Sequence, residues 1–110
     1  MRDPRERLLD MLEAIERIER HAAKGRAEFE KDELIQTWVV HHLQIVGEAA
    51  AKLSSDFQEK HSSIPWPQVV AMRNVLVHDH FGVDLEEVWR VVERDLPELK
   101  SKLKEMIEGL

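Results

Sequence analysis

The chain has 110 residues, no cysteine and a formal net charge of −6, with 22 acidic and 16 basic side chains. This length predicts a single domain, residues 1–110, with one hydrophobic core. The missing cysteines exclude disulfides, thiolate nucleophiles and cysteine-based zinc sites, and the acidic balance argues against a general polyanion binder while leaving room for a nuclease with a small basic cleft.

Hydrophobic periodicity predicts an all-α fold, an up-and-down bundle of four to five helices. The first helix runs from Pro4 to about Lys24, with apolar residues at three- and four-residue steps opposite a charged face. Gly25 is a suitable stop. The second helix begins at the cap residue Asp32, ends near Leu53 and has a wide apolar face, so we expect it to be the most buried.

A short helix is predicted in the segment SSDFQEKH, where Ser55 and Gln58 have the spacing of a capping box. Pro67 then starts a third helix, which ends near His78 because the following segment, DHFGVD, contains a glycine and a new cap.

The fourth helix runs from Leu85, after a second capping-box spacing at Asp84 and Glu87. Pro97 either kinks this helix or starts a fifth one. The tryptophans lie at helical spacing or at helix starts, so we expect core positions rather than base-stacking platforms for Trp38, Trp66 and Trp89.

Polar residues concentrate in the segment MRNVLVHDHFGVD, which begins at Met72. Asn74 and His78 are four residues apart on one predicted helix face, and a long Arg73 side chain could reach them at the helix C-terminus. That end of a helix favours a protonated imidazole. Histidine moves protons near neutral pH and arginine stabilises charge developing on a phosphate, so the group could cleave phosphodiesters. A helix cap with a salt-bridge donor is the structural alternative.

A longer segment, from SSIPWPQ to RDLPELK, resembles the HepT-like branch of the HEPN superfamily. Upstream, IVGEAAAKL resembles the I-G-E-A segment of that family. The resemblance covers nearly the whole chain in order. Its downstream elements are I-P-W at 64–66, M-R-N at 72–74, L-V-H at 76–78, F-G-V-D at 81–84, V-W at 88–89 and L-P at 96–97.

The resemblance implies a homodimeric HEPN domain that is a metal-independent endoribonuclease toxin acting on tRNA or mRNA, without a cofactor. A minimal nucleotidyltransferase would be its antitoxin. The Arg–x4–His motif carries over to Arg73 and His78 in a cleft shared by two subunits, with Asn74 as polar companion. Glu48 could orient Arg73 or pair with another base. The alternative is a non-catalytic nucleotide-binding or partner-docking subunit of a nucleotidyltransferase complex.

His80 is the main departure from the family pattern. Family members commonly have a tyrosine two residues after the catalytic histidine, to which the antitoxin can attach adenylate. This chain has no tyrosine, so that modification is impossible here. We expect His80 to have no catalytic role, although it could act as a second acid or base. His78 of the partner subunit is the favoured source of a second imidazole.

A metal site is not expected. His41 and His42 are adjacent and point about 100° apart on a helix, so they cannot chelate one ion together. One of them should be a partly buried polar residue or an interface contact. The segment from His78 through Asp79 to His80 offers too few ligands for a defined site.

The sequence shows neither a membrane-span pattern nor a signal-peptide pattern, so we expect a cytoplasmic protein that does not enter a membrane. No apolar run approaches the roughly 20 residues of a membrane span. The first ten residues, MRDPRERLLD, are charged and lack the apolar region of a signal peptide.

Overall fold

The computed structural model describes residues 3–74, 77–79 and 82–110, with backbone alone described for residues 77–79 and 82–83. These ranges are helical apart from turns and one pair of very short strands, which confirms the all-α prediction. None of the described helices is both long and apolar enough to cross a membrane. The elements are α1 (Pro4–Ala22), α2 (Arg26–Lys31), α3 (Glu33–Ala51), α4 (Ser55–Lys60), α5 (Trp66–Ala71), β1 (Val77–Asp79), β2 (Gly82–Val83), α6 (Leu85–Arg90), a π-helical segment (Val91–Asp95) and α7 (Leu96–Gly109).

Helix α1 packs between α3 and α7. The Trp38 indole N–H donates to the Arg17 carbonyl at 2.9 Å, which places the start of α3 beside the end of α1. The start of α1 lies beside the end of α7, where the Arg5 guanidinium donates to the Ile107 carbonyl at 3.2 Å. Both neighbours are therefore antiparallel to α1. Their facing apolar stripes form the core, with Leu8, Met11, Ile15, Ile18, Val39, Leu43, Val46 and Leu103 fully buried.

The predicted cap at Asp32 is confirmed. Its carboxylate accepts a hydrogen bond from the Leu34 N–H at 2.9 Å, which satisfies one of the unpaired donors of the first helical turn. The predicted cap of α4 was one residue late, because the Ser54 hydroxyl, not that of Ser55, accepts from the Phe57 N–H at 3.1 Å.

Helix α2 was missed between Gly25 and Asp32. Six residues are too few for a periodic pattern, and Gly25 predicts only a stop of the first helix. Its φ of 96° lies in the left-handed region, which lets the chain turn sharply from α1 into α2. The turn fully buries Phe29, whose ring centroid lies 5.3 Å from that of Trp89.

The prediction that the third helix reaches His78 was wrong, because α5 ends at Ala71. Residues 72–74 form a turn. The backbone of β1 then pairs antiparallel with β2, with Val77 opposite Val83. β-branched valine favours extended backbone, and strand pairing satisfies the N–H and C=O groups that a continued helix would have paired internally.

Pro97 lies in the first turn of α7, directly after the π-helical segment. Proline has no N–H and its ring would clash with the carbonyl four residues earlier, so a regular α-helix cannot pass through this point. The Leu96 N–H instead donates to the Val91 carbonyl, five residues back. This wider turn links α6 to α7. The cap at Asp84 is confirmed by a 3.1 Å bond from the Glu87 N–H.

Candidate active site

The site begins where α3 approaches the turn after α5. A Cβ placed on Gly47 would lie 2.6 Å from the Arg73 backbone nitrogen and 3.0 Å from the Val70 carbonyl oxygen. Only a glycine therefore permits this approach without a backbone shift. A glycine inside a helix is unfavourable by about 1 kcal/mol relative to alanine, so Gly47 is itself a sequence signal of close packing.

The approach at Gly47 brings the next residue, Glu48, against Arg73. The Glu48 Oε1 to Arg73 Nη1 distance is 3.6 Å, and the side chains are 54% and 37% exposed. This contact is an ion pair longer than a hydrogen bond, and a pair this exposed is worth at most about 1 kcal/mol. Glu48 thus holds the guanidinium only loosely, so an incoming anion can compete with this carboxylate for it.

The other predicted site residues follow Arg73 along the chain. Asn74 is exposed, and its backbone N–H donates to the Ala71 carbonyl at 2.9 Å. His78 lies in β1, and neither its side chain nor any part of His80 is among the described residues. Because α5 ends at Ala71, the predicted helix C-terminus at His78 is wrong, and the helix dipole cannot be invoked for His78. The convergence of Arg73, Asn74 and His78 itself stays a prediction.

His42 is the buried member of the histidine pair, with 3% of its surface exposed. Its Nδ1 lies 2.7 Å from the Trp38 carbonyl oxygen, which can only accept, so Nδ1 carries the proton. Burial lowers the pKa of His42, the bond to the Trp38 carbonyl opposes that shift, and the positive fields of His41 and Arg17 add to it. His42 is therefore a neutral structural imidazole, as expected for one of the two.

The lowered pKa of His42 predicts a stability that falls on acidification. An unfolded imidazole titrates near pH 6.5, so below that pH the unfolded chain takes up a proton that the folded chain resists. The free energy of unfolding should be greatest above about pH 6.5 and decline below it. Urea denaturation between about pH 7.5 and 5.5 should show a shallower decline in His42→Gln. The exposed neighbour variant His41→Gln removes only a minor contribution to the shift and leaves the burial of His42 intact, so it should retain most of the wild-type slope. Equal slopes in all three proteins would contradict this assignment.

Potential metal ligands do not cluster among the described side chains, where no group of three or more His, Asp or Glu could hold an ion. The described part of the site instead offers one half-exposed guanidinium, that of Arg73, beside the Glu48 carboxylate. That arrangement suits an anionic oxygen, such as a phosphate oxygen, better than a cation.

Comparison with known proteins agrees with the sequence pattern. The family profile described as "Ribonuclease HepT-like" matches residues 11–106. A protein of Thermococcus cleftensis named "Probable ribonuclease HepT" is 38% identical over 106 residues, covering 96% of each chain. A protein of Caldanaerobacter subterraneus subsp. tengcongensis named as a candidate RNase is 36% identical over 109 residues, covering 98% of this chain and 97% of its own. No solved structure gives a significant match.

Proposed function

The chain belongs to the HepT-like ribonuclease family, and on that premise we propose that it is a metal-independent endoribonuclease toxin that cleaves tRNA or mRNA. The observation that carries the proposal is Arg73, half exposed and 3.6 Å from Glu48, five positions before His78 in the Arg–x4–His spacing. Relatives named as ribonucleases at 36–38% identity support it.

RNA supplies its own nucleophile, which makes a metal unnecessary for the proposed reaction. A base takes the proton of the 2′-OH, the 2′-oxygen attacks the adjacent phosphorus, and the bond to the 5′-oxygen breaks as that oxygen takes up a proton. The products are a 2′,3′-cyclic phosphate and a 5′-OH. Arg73 stabilises the negative charge that develops on the phosphorus oxygens. His78 exchanges a proton, as an imidazole can near neutral pH.

The reaction needs both a base and an acid, and one chain supplies one histidine of the motif. In a two-fold homodimer, His78 of the partner subunit fills the second role in a shared cleft. Asn74 accompanies Arg73 in this scheme as a polar group that can contact the phosphate.

Control of the toxin is proposed to come from a minimal nucleotidyltransferase. Because position 80 is histidine and the chain has no tyrosine, the antitoxin does not adenylate a tyrosine here. It acts either by covering the cleft or by modifying another side chain. His80 has no catalytic role in this scheme.

Purified protein should cleave single-stranded RNA with EDTA present and leave 2′,3′-cyclic phosphate ends, detectable by mass spectrometry of the fragments. An RNA of the same sequence with 2′-O-methyl groups is the matched control and should remain intact, because its nucleophile is blocked. Loss of cleavage in EDTA, or cleavage of the methylated RNA, would refute the proposed mechanism.

A further inference from the structure

A groove of about 380 Å³ lies between α1 and α3 and opens beside the Arg73–Glu48 pair. Glu48 belongs both to its wall and to the ion pair, so the groove is continuous with the proposed active site. On α3 it extends from His41 to Lys52, a length of about 16 Å at 1.5 Å per residue. At the roughly 3.4 Å spacing of stacked bases this is room for several nucleotides.

The charge of the groove differs from that of the whole chain. Its described cationic side chains, Arg7, Arg17 and Lys52, equal its carboxylates in number, and Arg73 adds one positive charge at the Glu48 end. Two of those carboxylates face cations, since Glu13 pairs with Arg17 at 2.7 Å and Glu48 with Arg73. In a chain of net charge −6, this is a place that a polyanion can approach.

The groove also presents apolar and ring surface. Ala14, Ile45 and Ala49 contribute to its lining, and His41 stands exposed at its rim. The His41 ring lies perpendicular to the buried His42 ring, with centroids 5.1 Å apart. A ring held in this way offers a stacking surface for a base, as aromatic side chains do in proteins that bind single strands.

We propose that the α1–α3 groove binds the RNA strand that flanks the scissile phosphate, with His41 contacting a base and with Arg7 and Lys52 contacting phosphates. The inference rests on the proposed ribonuclease function and deepens it by assigning a substrate subsite outside the Arg–x4–His motif. Phosphate contacts at the rim hold the strand in register, so that the next phosphate lies against Arg73.

The test measures binding apart from cleavage. In a His78→Ala background, fluorescence anisotropy with a labelled single-stranded RNA is recorded over a series of salt concentrations. The Arg7→Gln/Lys52→Gln double variant should bind more weakly, and its slope of log affinity against log salt should fall by about 0.7 per lost phosphate contact. His41→Ala should lose affinity by about tenfold.

Arg94→Gln is the matched control, because Arg94 is exposed and lines a separate depression with Arg26 and Glu86. It should leave the RNA affinity and salt slope at the parent values. Equal binding by the double variant and the control, or no RNA binding by the parent, would overturn the subsite. Sedimentation velocity measures the oligomeric mass of the same proteins. A changed mass in the double variant would show that the groove is a contact between two copies of the chain, and would also overturn the subsite.

Different results would refute the subsite and the ribonuclease function. If the wild-type protein cleaves RNA but the groove variants bind RNA as the parent does, the subsite is refuted and the ribonuclease function is not. If the groove variants bind RNA more weakly but the wild-type protein does not cleave it, the proposed activity is refuted.

Discussion

His78→Ala should slow RNA cleavage by about 10²–10⁴-fold, the usual contribution of a positioned proton-transfer group. Arg73→Ala should cause a comparable loss, because it removes the charge that stabilises the phosphorus oxygens in the transition state. Arg73→Lys keeps the charge but loses the planar guanidinium and its paired donors, so it should recover only part of the rate. Single-turnover cleavage of a labelled RNA measures all three rates.

Folding is controlled for in the same variants. The Arg73–Glu48 pair is half exposed, so its loss should change the free energy of unfolding by at most about 1 kcal/mol. Arg94→Ala, an exposed arginine outside the site, should cleave at the wild-type rate. Near-wild-type cleavage by a folded His78→Ala or Arg73→Ala protein would rule out the catalytic assignment of that residue.

Gly47→Ala should destabilise the protein by about 1–3 kcal/mol, the usual effect of forcing a methyl group into a packed contact. In an open helix the same change would stabilise by about 1 kcal/mol, because alanine is the better helix former. The sign is reversed here because the new Cβ would lie 2.6 Å from the Arg73 nitrogen, so backbone must move. Urea denaturation gives the change in the free energy of unfolding.

The same shift should displace Arg73 and slow RNA cleavage, since a displacement of about 1 Å can reduce a rate by 10²-fold. Gly109→Ala is the matched control, because a Cβ at Gly109 meets nothing within 4 Å. Gly109 is the last residue of α7, so the alanine variant should retain wild-type activity and be at least as stable as the wild type. A Gly47→Ala protein at least as stable as the wild type would show that α3 and the turn at Arg73 do not approach so closely.

The helical class and most helix starts followed from the sequence alone. Apolar residues at three- and four-residue steps define α1 and α3 because each helix must bury one stripe. Asp32 and Asp84 marked helix starts because a cap is a local interaction, in which a side chain reaches an N–H two or three residues ahead. The family resemblance likewise indicated Arg73, His78 and Glu48 as candidate site residues from the order of the motifs, without reference to geometry.

The features that depend on contacts between residues distant in sequence were decided only by the tertiary structure. Whether α5 continued to His78 rested on a competition between a local helix and strand pairing with Val83, which local propensity cannot settle. Helix α2 forms because Phe29 finds a buried place beside Trp89, sixty residues away. Glu48 meets Arg73 because Gly47 has no side chain to keep α3 from the turn after α5. Periodicity shows which face of a helix is buried, but packing alone determines what that face contacts.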